Sequence, residues 1–385
     1  MDAINDIDLA ESIDAIDAIF GDEDADENGL IDLFNLYRQY FTRVMWERIF
    51  RRLRRTRAAR VFWVRRLFHD EHFVQITGFT RTEAQNLLFS IGHRFIRLTN
   101  RSWAVQVPEA FIIALRMLRT GKDFWNNGMF VGLSKSTAHK CFWQVVNAVI
   151  SELSHLVSLN LTPQQWKHQA TIIHNRYHIS HFVGFIDGSY ITIKNIGRRK
   201  SWRCRKGFPA INMTLMVDGS GYIRFVSCRW PGAMHDSRVY RLSGLARLVR
   251  EGWEPFEGAS IGGDSAYLGT DNFVIARPRD RGINNHNRRF FRNFTKARAT
   301  IENAIGHLKM SFGILSGTMS GQINCNSRAN VSKIIKCCCI LENFKKRERQ
   351  QFDEDDDHDD FPPLNPNQDK VSQLVRIFNQ EHRYA

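Results

Sequence analysis

The chain has 385 residues, with 54 Lys and Arg against 40 Asp and Glu, for a formal net charge of +14. Acids are concentrated near both ends, with eleven in residues 1–27 and seven in residues 352–360, whereas residues 38–351 contain 51 Lys and Arg against 19 Asp and Glu, a net charge of +32. This charge indicates a polyanionic partner, because unneutralised self-repulsion destabilises a compact state. No apolar run approaches the roughly 18 residues of a membrane span, and the acidic start is unlike that of a signal peptide, so we expect an intracellular protein without a membrane partner.

Residues 1–37 are acidic and are predicted to be disordered, with a loosely held amphipathic partner helix as the alternative. An arginine-rich segment follows at residues 43–66, with ten arginines, one acid and interleaved aromatic residues. Guanidinium groups bind phosphates through paired hydrogen bonds, so we predict that this segment contacts the DNA backbone. The expected contacts are Arg51, Arg52, Arg54 and Arg55. The same composition is typical of a nuclear import signal and predicts a nuclear location, with or without a cytoplasmic pool; a solvated basic helix without a partner is the alternative.

Residues 38–175 are predicted to form a helical domain of the DNA-binding type. The stretch Thr80–Glu83 has the spacing of a capping box, and Pro108 is typical of a helix start. Ser134 caps a further helix after the turn at Gly132, and this helix-turn-helix order would direct side chains at the helix start toward a major groove. The candidate contacts are Lys135, His139 and Lys140. A helical bundle that does not touch DNA fits the same pattern.

Residues 176–345 have the pattern of an α/β domain. Strands are expected at residues 182–193, 210–218, 222–228, 259–263 and 273–276, and helices at residues 237–250 and from Thr295 onward. The turn Asp218–Gly221 joins the second and third strands as a hairpin. This order predicts a mixed sheet flanked by helices, in which an antiparallel meander of three strands is extended by parallel strands. Residues 346–385 are charged and are predicted to be a mostly disordered tail.

Four acidic residues lie where predicted elements would present a carboxylate. Asp187 ends an apolar run, Asp236 follows a turn, Asp264 follows a short strand, and Glu302 lies on a helix. Carboxylates that converge repel one another unless cations lie among them, and oxygen ligands favour Mg²⁺ or Mn²⁺ over Zn²⁺. The pattern therefore predicts a divalent metal site suited to phosphodiester cleavage.

The four acidic elements resemble those of the PIF/Harbinger-type DDE transposases and the Harbinger transposase-derived nucleases. The elements are Phe185–Ile191, Pro231–Ser237, Gly263–Tyr267 and Arg298–Lys309. The resemblance implies an RNase H-like catalytic core and DNA as the substrate. It also implies a metal site built from Asp187, Asp236, Asp264 and Glu302, and a separate, Myb-like DNA-binding protein as a partner.

For a site of this kind we expect two Mg²⁺ ions, with Mn²⁺ as the alternative. Asp187 would bridge the ions, Asp264 and Glu302 would lie on either side, and these three are the catalytic candidates. Asp236 would bind metal directly or hold a metal-bound water. The loop after the first strand provides further candidate DNA contacts at Lys200, Arg203 and Lys206, with an ordinary exposed loop as the alternative.

Two functions remain open at this point. The first is a metal-dependent endonuclease or transposase, with strand transfer or with hydrolysis alone. The second is a non-catalytic DNA- or protein-binding factor that kept the transposase fold. The presence of all four acids favours catalysis, because packed like charges are costly without metal. The oligomeric state is also open, with a homo-oligomer among the alternatives.

Overall fold

A computed structural model describes residues 72–95, 105, 107–194, 200–279, 282–317, 323–324, 327–350 and 361–382. The predictions for the acidic residues 1–37 and for the arginine-rich segment, including Arg51, Arg52, Arg54 and Arg55, lie outside the described residues. All described residues belong to one compact unit, within residues 58–385. Within the described ranges, no helix combines the length and apolar character needed to cross a bilayer.

The part of the structure that precedes the sheet is helical. Its helices are α1 (Phe73–Thr77), α2 (Arg81–Ile91), α3 (Val107–Thr120), α4 (Phe124–Val131), α5 (Lys135–Leu153) and α6 (Pro163–Tyr177). The capping box before α2 forms, because the Glu83 amide donates to Thr80 Oγ1 and the Thr80 amide donates to the Glu83 carboxylate. Gly132 ends α4 in the left-handed region, at φ 80°, and the Ser134 hydroxyl caps α5.

A mixed sheet forms the centre of the molecule. Its strands are β1 (Phe182–Lys194), β2 (Ala210–Asp218), β3 (Ile223–Pro231), β4 (Ser260–Gly263) and β5 (Val274–Ala276). The spatial order is β3-β2-β1-β4-β5, and a short β6 (Ile323–Asn324) pairs with the far end of β1. Strands β1, β2 and β3 pair antiparallel, whereas β4 and β5 extend the sheet in parallel. The predicted α/β fold is confirmed, including the meander and its parallel extension.

Helices cover both faces of this sheet. They are α7 (Asp236–Arg241), α8 (Gly244–Arg250), α9 (Arg288–Ser311), α10 (Arg328–Arg349) and α11 (Lys370–Glu381). Neighbouring residues of β1 point to opposite faces, so Phe185 joins the core under α9 and α10 while Ile186 joins the core under α7 and α8. The larger core also contains Phe111 of α3 and Phe142 of α5. The boundary predicted between residues 175 and 176 therefore does not separate two independent cores.

The prediction of a mostly disordered tail over residues 346–385 is wrong for residues 361–382. Helix α10 continues to Arg349, and α11 buries an apolar stripe that includes Leu374 and Phe378. The Phe378 ring lies 5.7 Å from that of Phe290 on α9. A short amphipathic helix gains most of its stability from the surface that it covers, which charge composition alone does not reveal. The acid-rich residues 351–360 lie outside the described residues.

Candidate active site

Two of the predicted acids lie at neighbouring parallel strands, Asp187 within β1 and Asp264 directly after β4. Phe185 of β1 is in register with Gly262 of β4, and continuing that register by two residues places Asp187 beside Asp264. Burial raises the pKa of Asp187 to about 6; the Gly188 amide, 2.8 Å from Asp187 Oδ1, opposes the rise, and the charge of Asp264 adds to it. Burial likewise raises the pKa of Asp264. Two partly buried carboxylates therefore lie close enough to repel each other.

Asp236 approaches the same point of β1 from the other face of the sheet. It is the first residue of α7, and a Cβ atom placed on Gly188 would lie only 2.4 Å from Asp236 Oδ1. Asp236 therefore occupies the space that a side chain at position 188 would need. Because neighbouring positions of a strand point to opposite faces, Asp236 lies on the face opposite to the Asp187 side chain. Its negative charge also contributes to the raised pKa values of Asp187 and Asp264.

A buried asparagine positions Asp236, and sequence reasoning did not identify it. The fully buried Asn212 of β2 donates from Nδ2 to Asp236 Oδ1, at 2.7 Å, and to the Met234 carbonyl, at 3.0 Å. Its own Oδ1 is buried and has no partner. An amide inside a strand that is buried along its whole length is the signal that could have identified this residue, because buried polar groups need partners.

Glu302 faces the aspartates from α9 and is paired with an arginine one turn earlier. Arg298 Nη2 donates to Glu302 Oε1 at 2.6 Å, and Arg298 Nη1 lies 3.5 Å from Asp187 Oδ2. The guanidinium also opposes the rise in the pKa of Asp264. One positive charge therefore lies among acids that come from three separate elements. The sequence showed Arg298 beside Glu302 on the helix, but not its contact with Asp187.

The acids thus share one neighbourhood without forming a finished metal site. Among the described residues, no group of three or more His, Cys, Asp or Glu side chains is placed to hold a metal ion as it stands. The donor set nevertheless fits Mg²⁺ or Mn²⁺, because every candidate ligand is a carboxylate. Movement of the Arg298 side chain would leave oxygen ligands facing one another.

A lysine next to the acids is a further residue that sequence reasoning did not assign. Lys309, on the last turns of α9, donates from Nζ to Ser189 Oγ at 2.7 Å and to the Tyr190 carbonyl at 3.0 Å. Ser189 is two residues after Asp187 and so points to the same face of β1. Burial lowers the pKa of Lys309. The sequence signal that could have identified Lys309 was its position seven residues after Glu302, because residues at this spacing lie on the same side of a helix.

The basic loop between β1 and β2 lies beside this site. Arg203 and Lys206 are exposed, as their predicted contact with DNA requires. Arg205 of the same loop lies 5.9 Å above the Tyr190 ring, and its charge counteracts the rise in the pKa of Asp264. For Lys200 the structure describes the backbone, in a short 3₁₀ turn, and not the side chain.

The predicted helix-turn-helix contacts lie at the exposed start of α5. Lys135, His139 and Lys140 are all exposed. His139 has local partners, since Trp143 Nε1 donates to its Nε2 at 3.1 Å and the Phe124 ring lies 4.8 Å away. This imidazole helps to pack α4 against α5, so its contact with DNA is less favoured than that of the two lysines. The DNA contacts at all three positions stay predictions.

Two cavities of the described structure lie away from the acids. One, of about 450 Å³, lies between α6, the β2–β3 turn, α9 and α10; the other, of about 500 Å³, lies between β5 and the segment that leads into α11. Neither is lined by Asp187, Asp236, Asp264 or Glu302.

Comparisons with known proteins agree with this geometry. Residues 186–343, which include all four acids, match the family of DDE superfamily endonucleases. The chain is 23% identical over 275 residues to the protein named "Putative nuclease HARBI1" of Rattus norvegicus, covering 71% of this chain and 77% of the relative. The protein of the same name from Homo sapiens is 23% identical over 279 residues, with the same coverage. No solved structure gives a significant match. The predicted resemblance to the Harbinger-derived nucleases is confirmed, and residues 186–343 are similar to DDE superfamily endonucleases.

Proposed function

We propose that this protein is a metal-dependent DNA endonuclease that hydrolyses phosphodiester bonds with two divalent cations, Mg²⁺ by preference and Mn²⁺ as the alternative. The main observation in support of the proposal is that Asp187 lies beside Asp264. Glu302 lies near them, because one arginine, Arg298, contacts both Glu302 and Asp187. Chain segments about 40 to 115 residues apart supply these acids. Packing like charges in this way is costly unless a cation offsets the repulsion.

The residues of the site take distinct roles in this reaction. Asp187, Asp264 and Glu302 would hold the metal ions, and Asp236, fixed by Asn212, would support them from the other face of β1. Bound divalent cations supply an activated water nucleophile and stabilise the leaving oxygen. The metal ligands must be ionised, so the raised pKa of Asp187, about 6, makes protonation of this ligand compete with metal in weakly acidic solution.

Basic residues around the acids would position the DNA. Arg203, Arg205 and Lys206 lie on the exposed loop beside the acids, and their charges suit backbone phosphates. Lys309 donates to Ser189, two residues after Asp187 on β1, and from this position its ammonium would neutralise a neighbouring phosphate. The net charge of +32 over residues 38–351 supports DNA as the substrate.

Cleavage of supercoiled plasmid tests the proposal. The full chain should nick the plasmid when Mg²⁺ or Mn²⁺ is present, and Asp187→Asn, Asp264→Asn and Glu302→Gln should each lower the rate by at least about 100-fold. Glu251→Gln is the matched control, since Glu251 is exposed and lies on a different element. Circular dichroism of every variant checks that it folds. Metal-dependent nicking that survives in all three site variants would contradict the proposal.

One observation favours the second candidate, a DNA-binding factor without catalysis: Arg298 already neutralises Asp187 and Glu302. In that case the chain would bind DNA and cleave none with either metal. Strand transfer is a further proposal, tested by joining of labelled DNA ends to a target plasmid. The nuclear location, the Myb-like partner and a homo-oligomer rest on the sequence and the family resemblance, and stay predictions.

A further inference from the structure

The Arg298 guanidinium contacts one oxygen atom on each of two candidate metal ligands. Arg298 reaches Glu302 Oε1 at 2.6 Å and Asp187 Oδ2 at 3.5 Å. The second oxygen of Asp187, Oδ1, already accepts the Gly188 amide. A cation bound through Asp187 Oδ2 and Glu302 Oε1 would therefore share both oxygens with Arg298, and its charge would repel that of the guanidinium.

Arg298 cannot make room by losing its charge. An arginine side chain stays protonated in proteins, so the guanidinium and a divalent ion at the same carboxylates would repel each other. The Arg298 side chain keeps 21% of its surface exposed and is therefore not locked inside the core.

We propose that Arg298 is a built-in competitor for the divalent metal, which closes the acidic site in the metal-free protein and must swing out before metal binds. This inference rests on the proposed function and adds a regulation of the same site. Arg298 offsets the negative charge of the acids while metal is absent. The free energy of metal binding is less favourable by the cost of breaking its two contacts. Removal of the guanidinium should consequently tighten metal binding, although it removes a positive charge from a site that handles DNA.

Calorimetric titration of the full chain with Mn²⁺, without DNA, tests the competition. Arg298→Gln should bind Mn²⁺ at least about tenfold more tightly than the unchanged chain, which corresponds to about 1.4 kcal/mol. Arg298→Lys keeps a charge and should retain much of the competition. Arg247→Gln is the matched control and should leave the Kd unchanged. It removes an exposed arginine of α8 that pairs with Glu251, away from α9 and the acids.

Thermal unfolding gives a second readout that does not depend on activity. Without metal, Arg298→Gln should melt at a lower temperature than the unchanged chain, because the acids lose their counter-charge. With Mn²⁺ its melting temperature should rise by more than that of the unchanged chain, since the tighter ligand stabilises the folded state more.

The outcomes separate the inference from the proposed function. Mn²⁺ binding that depends on Asp187 but is unchanged or weaker in Arg298→Gln overturns the competition and leaves the nuclease proposal standing. Binding that Asp187→Asn does not weaken, or a lack of binding in every variant, overturns both. Tighter binding in Arg298→Gln that is lost again in Arg298→Gln/Asp187→Asn supports both.

Discussion

At position 188 the absence of a side chain decides where Asp236 can lie. The Asp236 carboxylate fills the space beside Gly188, and Asn212 holds it there. Asp187 and Asp264 reach the site from the opposite face of the sheet, so Asp236 has a different relation to a bound metal from theirs. Of the two roles predicted for Asp236 from the sequence, this arrangement favours holding a metal-bound water over binding the metal directly, and the role stays a prediction.

Gly188→Ala tests the contribution of Asp236 without removing any acid. The new methyl group would lie 2.4 Å from Asp236 Oδ1 and 2.8 Å from Asp236 Cγ, so the carboxylate must move. We expect metal-dependent cleavage to fall by at least about tenfold, because a small displacement of a positioned group is costly in catalysis. Cleavage rates on plasmid DNA and urea unfolding of the same preparation provide the measurement.

Gly92→Ala is the control for this substitution. Nothing lies within 4 Å of a Cβ atom built at Gly92, so the change should leave both cleavage and stability close to those of the unchanged chain. If Gly188→Ala cleaves as fast as Gly92→Ala, Asp236 has no part in the reaction.

At the scale of elements, the segment after residue 360 is attached to β1 and to the edge of the sheet. His181, immediately before β1, lies 2.8 Å from the Pro362 carbonyl through Nε2 and is only 1% exposed. Lys370 at the start of α11 donates to the Ala259 carbonyl, next to β4. Burial lowers the pKa of His181 to about 4; the Pro362 contact opposes this, and the charges of Lys370 and His174 reinforce it. His181 Nδ1 is buried without a partner, which suits the neutral ring.

This histidine predicts a loss of stability in mild acid. Between its ordinary pKa of 6.5 and the folded value of about 4, the unfolded chain binds a proton that the folded chain does not, so the free energy of unfolding falls as the pH falls through that window. Between about pH 7.5 and about pH 5, His181 should account for about 2 kcal/mol of that loss. Urea unfolding at both pH values measures it.

Two variants isolate the contribution of His181 from that of other groups. His181→Gln can still donate to the Pro362 carbonyl but does not titrate, so its unfolding free energy should change with pH by about 2 kcal/mol less than that of the unchanged chain. His307→Gln, at an exposed histidine of α9, should keep the full dependence. Equal pH dependence in His181→Gln and His307→Gln would show that His181 is not the group responsible.

At the scale of the whole molecule, the charge distribution predicts how DNA binding responds to salt. The exposed loop with Arg203, Arg205 and Lys206 lies beside the acids. Each phosphate contact contributes about 0.9 to the slope of log affinity against log salt concentration for duplex DNA. Replacing the three residues by Gln should lower that slope by about 2 to 3, as measured by fluorescence anisotropy with a duplex oligonucleotide over a salt series.

A charge-matched triple variant controls for the net charge. Arg247→Gln, Arg250→Gln and Arg376→Gln together remove three exposed arginines from α8 and α11. Their slope should stay near that of the unchanged chain if the loop, rather than overall charge, contacts the phosphates. An equal fall in both triple variants would argue against the loop. The same salt series on a variant with Gln at Arg51, Arg52, Arg54 and Arg55 tests the arginine-rich segment.

The sequence alone predicted the antiparallel meander with its parallel extension, and it identified the candidate ligands, whose role stays a prediction. Alternating and continuous apolar runs, with the hairpin turn at Asp218–Gly221, predicted the meander and its parallel extension, because these patterns report which face of each strand is buried. Asp187 was identified as a candidate ligand because it ends an apolar run, and Asp264 because it follows a short predicted strand. These features are local, and a single chain contains the information that specifies them.

Only the tertiary structure decided which groups from distant elements meet. It placed Arg298 against Asp187, Asn212 against Asp236, and α11 against α9, and it joined the helical part and the sheet in one core. A side-chain contact between different elements depends on packing geometry, strand register and helix rotation, which short-range periodicity does not contain. The acids could therefore be predicted from the sequence as candidate metal ligands. That the Arg298 guanidinium pairs with Asp187 as well as Glu302 became clear only from the tertiary structure.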